Sequence, residues 1–300
     1  MKTLKKIWKH RAHVVMALPA LVLLIVFDYV PMGGLILAFK KFDYRSGIWG
    51  SPWNGLENFR FLIASKSIFL NITKNTLMYY VIFTALGMFL EIVLAIALDQ
   101  LVFKRAGKWM EAVLIIPVFI SYTAVQFIVY AFLSSDTGML NHLLGKSVRW
   151  YSNPAYWPAI LTIVKMWNGT GYGAILYMSV LAGIDPQLYE SAQIDGAGKW
   201  QQIQHITLPS LVPMITVMLL LSVGGIMHSD TGLFYQVTRN SGALYETTQV
   251  IDAYILNAIF QNSNFGFTAA ASFFQSVVGT VLILISNGIV RKLHPENALF

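Results

Sequence analysis

The sequence predicts an all-α polytopic membrane protein with about six transmembrane helices. Apolar residues make up 56% of its 300 residues and charged residues only 12%, whereas a soluble domain carries about twice that charged fraction. Apolar runs of about 20 residues recur along the chain, and such a run is long enough to cross a bilayer as a helix. The chain has no cysteine, which excludes disulfides and thiolate metal sites. We therefore expect a single membrane-spanning domain over residues 1–300.

The apolar runs predict spans at residues 14–38, 76–101, 111–133, 157–181, 210–228 and 267–290. Basic residues precede the first run, as in a signal peptide, but the run is too long for a cleaved signal core and is interpreted as a retained span. Lysine and arginine residues beside span ends favour the cytoplasmic side for both chain termini and for the loop at 182–209. These flanking residues are Lys104, Arg105, Lys108, Arg291 and Lys292.

A polar stretch with helical character separates the fourth and fifth predicted spans. Asp185 followed by Pro186 is a favourable helix start, because the aspartate side chain can accept hydrogen bonds from free N–H groups and proline is tolerated at the first helical position. Gly196 and Gly198 then permit a sharp turn. The sequence therefore predicts that residues 185–209 form a helix-turn-helix outside the membrane.

The second arm of this helix-turn-helix is predicted from regularly spaced apolar residues, namely Trp200, Ile203 and Ile206. Pro209 is expected to end the arm, because a proline ring clashes with the preceding turn of a helix. Small and apolar residues remain on one side of the two arms, so that side is available to a partner protein.

The same stretch resembles the EAA signature of the permease subunits of ABC importers. The matching residues are Glu190-Ser191-Ala192, Asp195-Gly196-Ala197, Ile206, Leu208-Pro209 and Pro213. The resemblance extends along nearly the whole chain and is closest to the oligosaccharide and polysaccharide branch, often called LplB-like. Two positions depart from the pattern: Ser191 stands where a second alanine is usual, and Ile203 stands where an aromatic residue is common.

This resemblance implies the type I permease architecture of ABC importers and a cytoplasmic coupling loop at 185–209 that sits in a groove of a separate ATPase. The residues expected to couple to that ATPase are Glu190, Ser191, Ala192, Asp195, Gly196, Ala197, Trp200, Ile203, Leu208 and Pro209. It also implies a second homologous permease, two ATPase subunits that hold ATP and Mg, and an extracytoplasmic sugar-binding protein. The expected location is the bacterial cell membrane, as a multi-pass protein in contact with lipid and without a nucleic-acid partner.

The residues of this chain give it no ATP site or catalytic site of a known pattern. Gly145-Lys146-Ser147 ends like a Walker A motif, but Leu140 stands where the first glycine is required. The six histidines form neither an HExxH motif nor a cluster with metal-ligand spacing. We therefore expect no cofactor or metal on this chain, and ATP hydrolysis only in a partner. Two other functions stay open: a secondary transporter driven by an ion gradient, and a membrane-embedded enzyme.

Ionisable residues inside predicted spans are expensive and indicate function or a specific partner. Asp28, Glu91 and Lys165 are such residues. At about 1.5 Å per residue, Asp28 and Lys165 lie at similar depths from the outer ends of their spans, roughly 15 and 12 Å, and Glu91 lies deeper. We therefore predict that Asp28 and Lys165 share one polar environment. A structural ion pair and a contact with sugar hydroxyls or a uronate carboxylate are both compatible with this pairing.

Aromatic and amide side chains near the fourth span and in the polar segment 227–264 could bind a sugar of at least two units. The predicted substrate-path residues are Asp28, Lys165, Trp167, Asn168, Tyr172, Tyr235, Gln236 and Arg239, with Tyr177 and Asn240 nearby. Arg239 and Lys165 are the candidates for binding a uronate carboxylate, if the sugar carries one. Two alternatives remain open: a role of these aromatic residues in helix packing alone, and a solvated external loop as the structure of the 227–264 segment.

Overall fold

The structure, a computed structural model, describes residues 11–60, 66–101, 104–262 and 264–293. Within these ranges the chain is helical and has no strand, only an isolated antiparallel bridge between Lys40 and Trp53. The main helices are α1 (Arg11–Leu24), α2 (Lys66–Asp99), α3 (Lys104–Ile115), α4 (Tyr122–Leu133), α5 (Met139–Leu144), α6 (Trp157–Leu181), α7 (Pro186–Ile194), α8 (Lys199–Gln202), α9 (Leu208–Gly224), α10 (Ile251–Asn262) and α11 (Phe265–Leu293). The basic residues at positions 2–9 lie outside the described residues.

Helices long and apolar enough to cross a membrane occur four times in the described ranges, at Val14–Phe39, Lys66–Asp99, Lys199–Gly224 and Phe265–Lys292. A fifth is obtained if the bent pair Gly107–Phe119 and Tyr122–Leu133 counts as one span. Helix α6 is 25 residues long but less apolar, since Lys165 and Asn168 interrupt it. The all-α fold is therefore as predicted, whereas the predicted number of six spans is not established.

The third predicted span, 111–133, is not straight. The chain turns by 97° between Phe119 and Tyr122. Pro117 lies in the 3₁₀ turn Ile116–Phe119, and Ser121 then adopts an extended backbone with φ −63° and ψ 147°. A proline that cannot donate a backbone hydrogen bond is a common cause of such a break. The Nδ2 of Asn168 in α6 donates to the carbonyl of Pro117 at 2.7 Å, which links α6 to the bend.

The prediction that Pro209 ends the second arm of the helix-turn-helix is wrong. Helix α8 passes through a π-helical turn, Ile203–Thr207, directly into α9, and the N–H of Leu208 donates to the carbonyl of Ile203. The wider π turn accommodates the proline ring that would clash with a regular helix. The same arrangement precedes Pro31, where a π turn spans Ile25–Tyr29.

The described chain divides into two compact units, of which the first contains the residues up to Lys66 and Asn257–Phe274. Its centre is a group of rings, with Phe39 and Phe59 at 5.5 Å and Phe39 and Phe273 also at 5.5 Å between ring centroids. The Nδ2 of Asn58 lies within hydrogen-bond distance of three backbone carbonyls at the end of one helical turn, those of Leu37, Ala38 and Lys40. The spacing of Phe59, Leu62, Ile63 and Phe69 is compatible with an interfacial helix over residues 59–70 or with an ordinary external loop. Part of this stretch lies outside the described residues, and α2 begins at Lys66.

The second unit, Ser67–Leu256 with the residues from Gln275 onward, contains the largest apolar core. Trp157 and Leu161 of α6 are fully buried in this core, together with residues from α2 and α4. The segment after α9 also contributes buried side chains, namely Leu233, Phe234, Val237, Leu244 and Val250. Residues 233–250 are therefore not a solvated loop, because their apolar side chains, spaced among the polar ones, pack into the core.

Candidate functional site

The first arm of the helix-turn-helix, α7, begins as its sequence predicts. The Oδ1 of Asp185 accepts a hydrogen bond from the N–H of Gln187 at 3.0 Å, which caps the helix. The Oγ of Ser191 donates to the carbonyl of Gln187 at 2.8 Å, a bond that alanine at this position would lack. Gly196 then adopts φ +82°, a left-handed conformation that favours glycine.

The second arm is fixed to the first by side chains at its base. The hydroxyls of Tyr189 and Thr207 share a hydrogen bond of 3.0 Å, although the two residues are 18 positions apart. Gln202 is buried, and its Nε2 donates to the carbonyl of Ala197 at 3.1 Å. The side chain of Gln201 accepts from the N–H of Gly198 at 2.8 Å and caps the start of α8. The loop is therefore a braced unit that is continuous with α9.

The tip of the helix-turn-helix exposes apolar side chains beside acidic ones. Ile194 is 86% exposed and Trp200 is 67% exposed, and Glu190 and Asp195 are also exposed. Ile203 and Leu208 are half-buried at the base, and Pro209 is exposed. An exposed isoleucine and tryptophan at the tip of a braced hairpin are suited to a protein partner.

A second polar site surrounds Lys165 within the second unit. The Nζ of Lys165 donates to the Oδ2 of Asp230 at 2.8 Å. The two residues line a cavity of about 230 Å³, which we call the Lys165 cavity. Its other walls are Thr76, Tyr79, Tyr80, Phe83, Thr84, His228, Ser229 and Phe234. The cavity thus combines an ion pair with hydroxyls and aromatic rings.

The predicted pairing of Lys165 with Asp28 is wrong, since Asp230 is its carboxylate partner. Asp28 is exposed in the π turn Ile25–Tyr29. The depth argument counted only residues inside predicted spans and treated the 227–264 segment as external. Because this segment folds back after α9, it brings Asp230 to the level of Lys165.

Asp252 in α10 fixes the segment that carries Asp230. Its Oδ2 accepts hydrogen bonds from the N–H and the Oγ of Ser229, at 2.5 and 2.8 Å. Its Oδ1 accepts from the Nε2 of Gln275 at 3.1 Å and lies 3.6 Å from the Nδ1 of His228. The same Gln275 nitrogen donates to the carbonyl of Met227 at 2.6 Å. These contacts hold residues 227–230 between α10 and α11.

Comparison with known proteins identifies the family and the fold. The family described as "Binding-protein-dependent transport system inner membrane component" matches residues 87–296. The chain belongs to this family. It is therefore a multi-pass membrane permease of an ABC importer, a transport component that acts together with other subunits and is not itself the catalytic one. Family membership favours this function over the ion-driven transporter and the membrane enzyme.

Two relatives from Bacillus subtilis (strain 168) resemble the permease along most of its length. The polygalacturonan/rhamnogalacturonan transport system permease protein YteP is 30% identical, over 94% of this chain and 88% of the relative. Protein LplB is 29% identical, over 93% of this chain and 88% of the relative. The resemblance to the LplB-like branch is thus confirmed.

Two solved structures share the fold of the permease. A chain in the crystal structure of a bacterial ABC transporter involved in the import of the acidic polysaccharide alginate has a TM-score of 0.87 and 31% identity, with 98% of this chain and 100% of that chain covered. A chain in the bacterial alginate transporter in complex with an alginate pentasaccharide-bound periplasmic protein has a TM-score of 0.85 and 31% identity, with 96% and 97% covered.

The other predicted substrate-path residues of the permease do not form one group. Trp167 lines a separate apolar cavity of about 420 Å³, and Asn168 is buried against the bend after α3. Tyr172 is 53% exposed on α6, whereas Tyr177 is only 1% exposed. Tyr235 and Gln236 are half-buried in the π turn Leu233–Val237. Arg239 lines a third cavity, apart from Lys165.

Glu91 and the glycines of α6 meet in a close helix contact. Gly173 is buried, and a Cβ at this position would overlap the carboxyl group of Glu91 in α2. Gly171 similarly faces the carbonyl of Leu114 in α3 with no space for a Cβ. Gly169 has nothing within 4 Å. Two of these three glycines therefore allow close packing between helices.

Sequence reasoning missed three residues in or beside the Lys165 cavity: Asp230, Asp252 and Gln275. Asp230 lies in the polar segment that the sequence indicates, but it was not distinguished from the neighbouring polar residues. Asp252 and Gln275 have no local signal, since each functions through residues more than 20 positions away. Only the folding of the segment after α9 brings them together.

Proposed function

We propose that this permease imports oligosaccharides across the bacterial cell membrane and lines the translocation path with a second homologous permease. An extracytoplasmic protein delivers the sugar, and two ATPase subunits that bind ATP and Mg on the cytoplasmic side supply the energy. The similarity to YteP and to the alginate transporter, over nearly the whole chain, supports a sugar substrate. Both chain termini and the 185–209 loop lie in the cytoplasm in this proposal.

The observation that carries the proposal is the Lys165 cavity. The half-buried rings of Tyr80 and Phe83 supply aromatic surface, which suits the apolar faces of sugar rings, and the buried rings of Tyr79 and Phe234 lie behind them. The paired charges of Lys165 and Asp230 and nearby hydroxyl groups can exchange hydrogen bonds with sugar hydroxyls. Both charged side chains remain partly accessible, at 31% and 27% exposure, so a ligand can reach them.

Coupling to the ATPase is assigned to the braced helix-turn-helix. Its exposed tip carries Ile194 and Trp200 with Glu190 and Asp195 beside them, so it can dock by apolar contact and charge. The residues between these side chains are small, so a partner protein can approach the backbone closely. They are Ser191, Ala192, Gly196 and Ala197. Because α8 continues into α9 without a break, displacement of the tip is passed directly to a predicted span.

The experiment is uptake by the assembled transporter in proteoliposomes that contain ATP. The expected result is ATP-dependent, binding-protein-dependent uptake of a labelled oligosaccharide, with no uptake of a peptide or an amino acid. Uptake driven by an ion gradient without the ATPase would overturn the proposal, as would peptide uptake with no response to oligosaccharides. Lys165→Met combined with Asp230→Leu should abolish uptake while the complex still assembles; unchanged uptake would remove the Lys165 cavity from the path.

A further inference from the structure

A cavity of about 470 Å³ lies around Arg239 and shares no lining residue with the Lys165 cavity. Its walls include Tyr130 at the end of α4, Ser134 and Asp136 after it, Tyr151, and Ser241. We call this site the Arg239 cavity. Its volume falls within the range of about 300–1,000 Å³ that small-molecule sites occupy.

The guanidinium of Arg239 forms no ion pair with a carboxylate in the described part of the chain. Within the described residues, no aspartate or glutamate oxygen lies within 4 Å of the guanidinium. The guanidinium carbon instead lies 4.3 Å from the centroid of the Tyr130 ring. Burial raises the pKa of Tyr151 to about 12, so this phenol stays neutral beside the arginine. Arg239 is exposed, so its hydrogen-bond donors are accessible to a ligand.

The backbone holds Arg239 in a conformation that arginine rarely adopts. Arg239 and Asn240 have φ +54° and φ +47°, both left-handed. The N–H of Asn240 donates to the carbonyl of Tyr235 at 3.0 Å, and the N–H of Ser241 donates to that of Thr238 at 3.2 Å. The hydroxyl of Tyr245 donates to the Oδ1 of Asn240 at 3.0 Å. The turn is thus fixed by its neighbours, and such strain is concentrated at functional sites.

The chemistry of the cavity selects a ring that carries a carboxylate. A guanidinium binds a carboxylate through two parallel N–H···O bonds, a geometry that a neutral sugar cannot reproduce. The ring of Tyr151 provides apolar surface for a sugar face, and the half-buried hydroxyl of Ser241 can exchange hydrogen bonds with a sugar hydroxyl. Asp136 can accept hydrogen bonds from sugar hydroxyls but repels a carboxylate, so it favours one orientation of the ring.

We propose that the Arg239 cavity binds a hexuronate unit of an acidic oligosaccharide, with the carboxylate on Arg239. This inference rests on the proposed function and narrows its substrate to sugars with acidic units. The described substrates of two similar proteins, polygalacturonan/rhamnogalacturonan and the acidic polysaccharide alginate, belong to this chemical class.

The test uses the complete transporter in proteoliposomes and two acidic probes, trigalacturonate and an alginate trisaccharide. Each probe is compared with its carboxyl-reduced, neutral form. Arg239→Gln should lower uptake of at least one acidic probe by about 10-fold or more, since a hydrogen-bonded charge pair contributes about 1.5–3 kcal/mol. Uptake of the neutral form should change less than about 2-fold, and Arg239→Lys should give an intermediate loss.

Arg149→Gln is the matched control, because Arg149 is an exposed arginine that lines neither cavity. Equal effects of the two substitutions would overturn the inference. Arg239→Gln could instead reduce acidic and neutral uptake equally and weaken docking of the binding protein in a pull-down. That result would show that Arg239 contacts the binding protein and would overturn the inference. If the unmodified transporter takes up neither acidic nor neutral sugar, the proposed function itself fails and this inference falls with it.

Discussion

The hydroxyls of Tyr189 and Thr207 lie 3.0 Å apart and join the two arms of the coupling loop at their base. Thr207 is fully buried at the end of the π turn that leads into α9. Tyr189 belongs to α7, the arm that reaches the exposed tip. A force applied at the tip therefore reaches α9 by two routes, the backbone of α8 and this hydrogen bond.

Tyr189→Phe should reduce the efficiency of coupling without preventing assembly. The substitution removes one hydrogen bond, a loss of about 1 kcal/mol, and leaves the ring in place. We expect the number of sugars imported per ATP hydrolysed to fall several-fold, while ATPase activity and complex yield stay near normal. Tyr156→Phe, at an exposed tyrosine directly before α6, is the control. An unchanged transport-to-ATP ratio in Tyr189→Phe would show that the backbone alone transmits the motion.

Two glycines in the turn between the arms test whether backbone conformation, and not lack of space, requires glycine there. Gly196 has φ +82° and open space around it, whereas Gly198 has φ −68° and only ordinary contacts. Alanine at 196 costs about 1–2 kcal/mol, because its Cβ disfavours the left-handed conformation. Alanine at 198 should be tolerated. ATPase binding measured on purified components should weaken only for Gly196→Ala, and equal binding of the two variants would contradict this account of the turn.

The glycines of α6 give a second matched pair. A Cβ at Gly171 would overlap the backbone carbonyl of Leu114, whereas a Cβ at Gly169 meets nothing within 4 Å. Overpacking of this kind costs about 1–3 kcal/mol. Gly171→Ala should therefore lower the thermal stability of the detergent-solubilised permease by several degrees. Gly169→Ala should leave it unchanged or slightly raised, and a similar loss in both would mean that helix flexibility, not packing, is the important property.

Sequence reasoning works for this chain where the determinants are local. The Asp185-Pro186 start and the turn at Gly196 are each set by neighbouring residues, and the structure shows both as expected. The error at Pro209 has a local cause as well. A proline usually ends a helix, but here a π turn that ends two residues before Pro209 lets the helix continue.

The Lys165 cavity could not be derived from local sequence, because its contacts link distant parts of the chain. Lys165 and Asp230 are 65 positions apart, and their approach depends on apolar residues such as Leu233 and Phe234 that draw the polar segment into the core. Hydropathy averages do not separate such a segment from an external loop. Depth along a helix, the only geometric guide available from the sequence, therefore led to the wrong partner for Lys165.

The Lys165–Asp230 pair can be tested by a double-mutant cycle on the assembled transporter. Removing one member leaves a partly buried charge without its partner, and removing both leaves none. Because each side chain is about 30% exposed, solvent screening reduces the effect, and we expect a coupling free energy of about 1–2 kcal/mol. The cycle compares Lys165→Met, Asp230→Asn and the double variant by thermal unfolding in detergent. We expect the double variant to be more stable than the sum of the two single losses predicts.

The control is a parallel cycle of Lys165→Met with Asp28→Asn, in which the two losses of stability should be additive. Coupling to Asp28 instead of Asp230 would reinstate the partner that depth alone favours and would contradict the folded arrangement of residues 227–230.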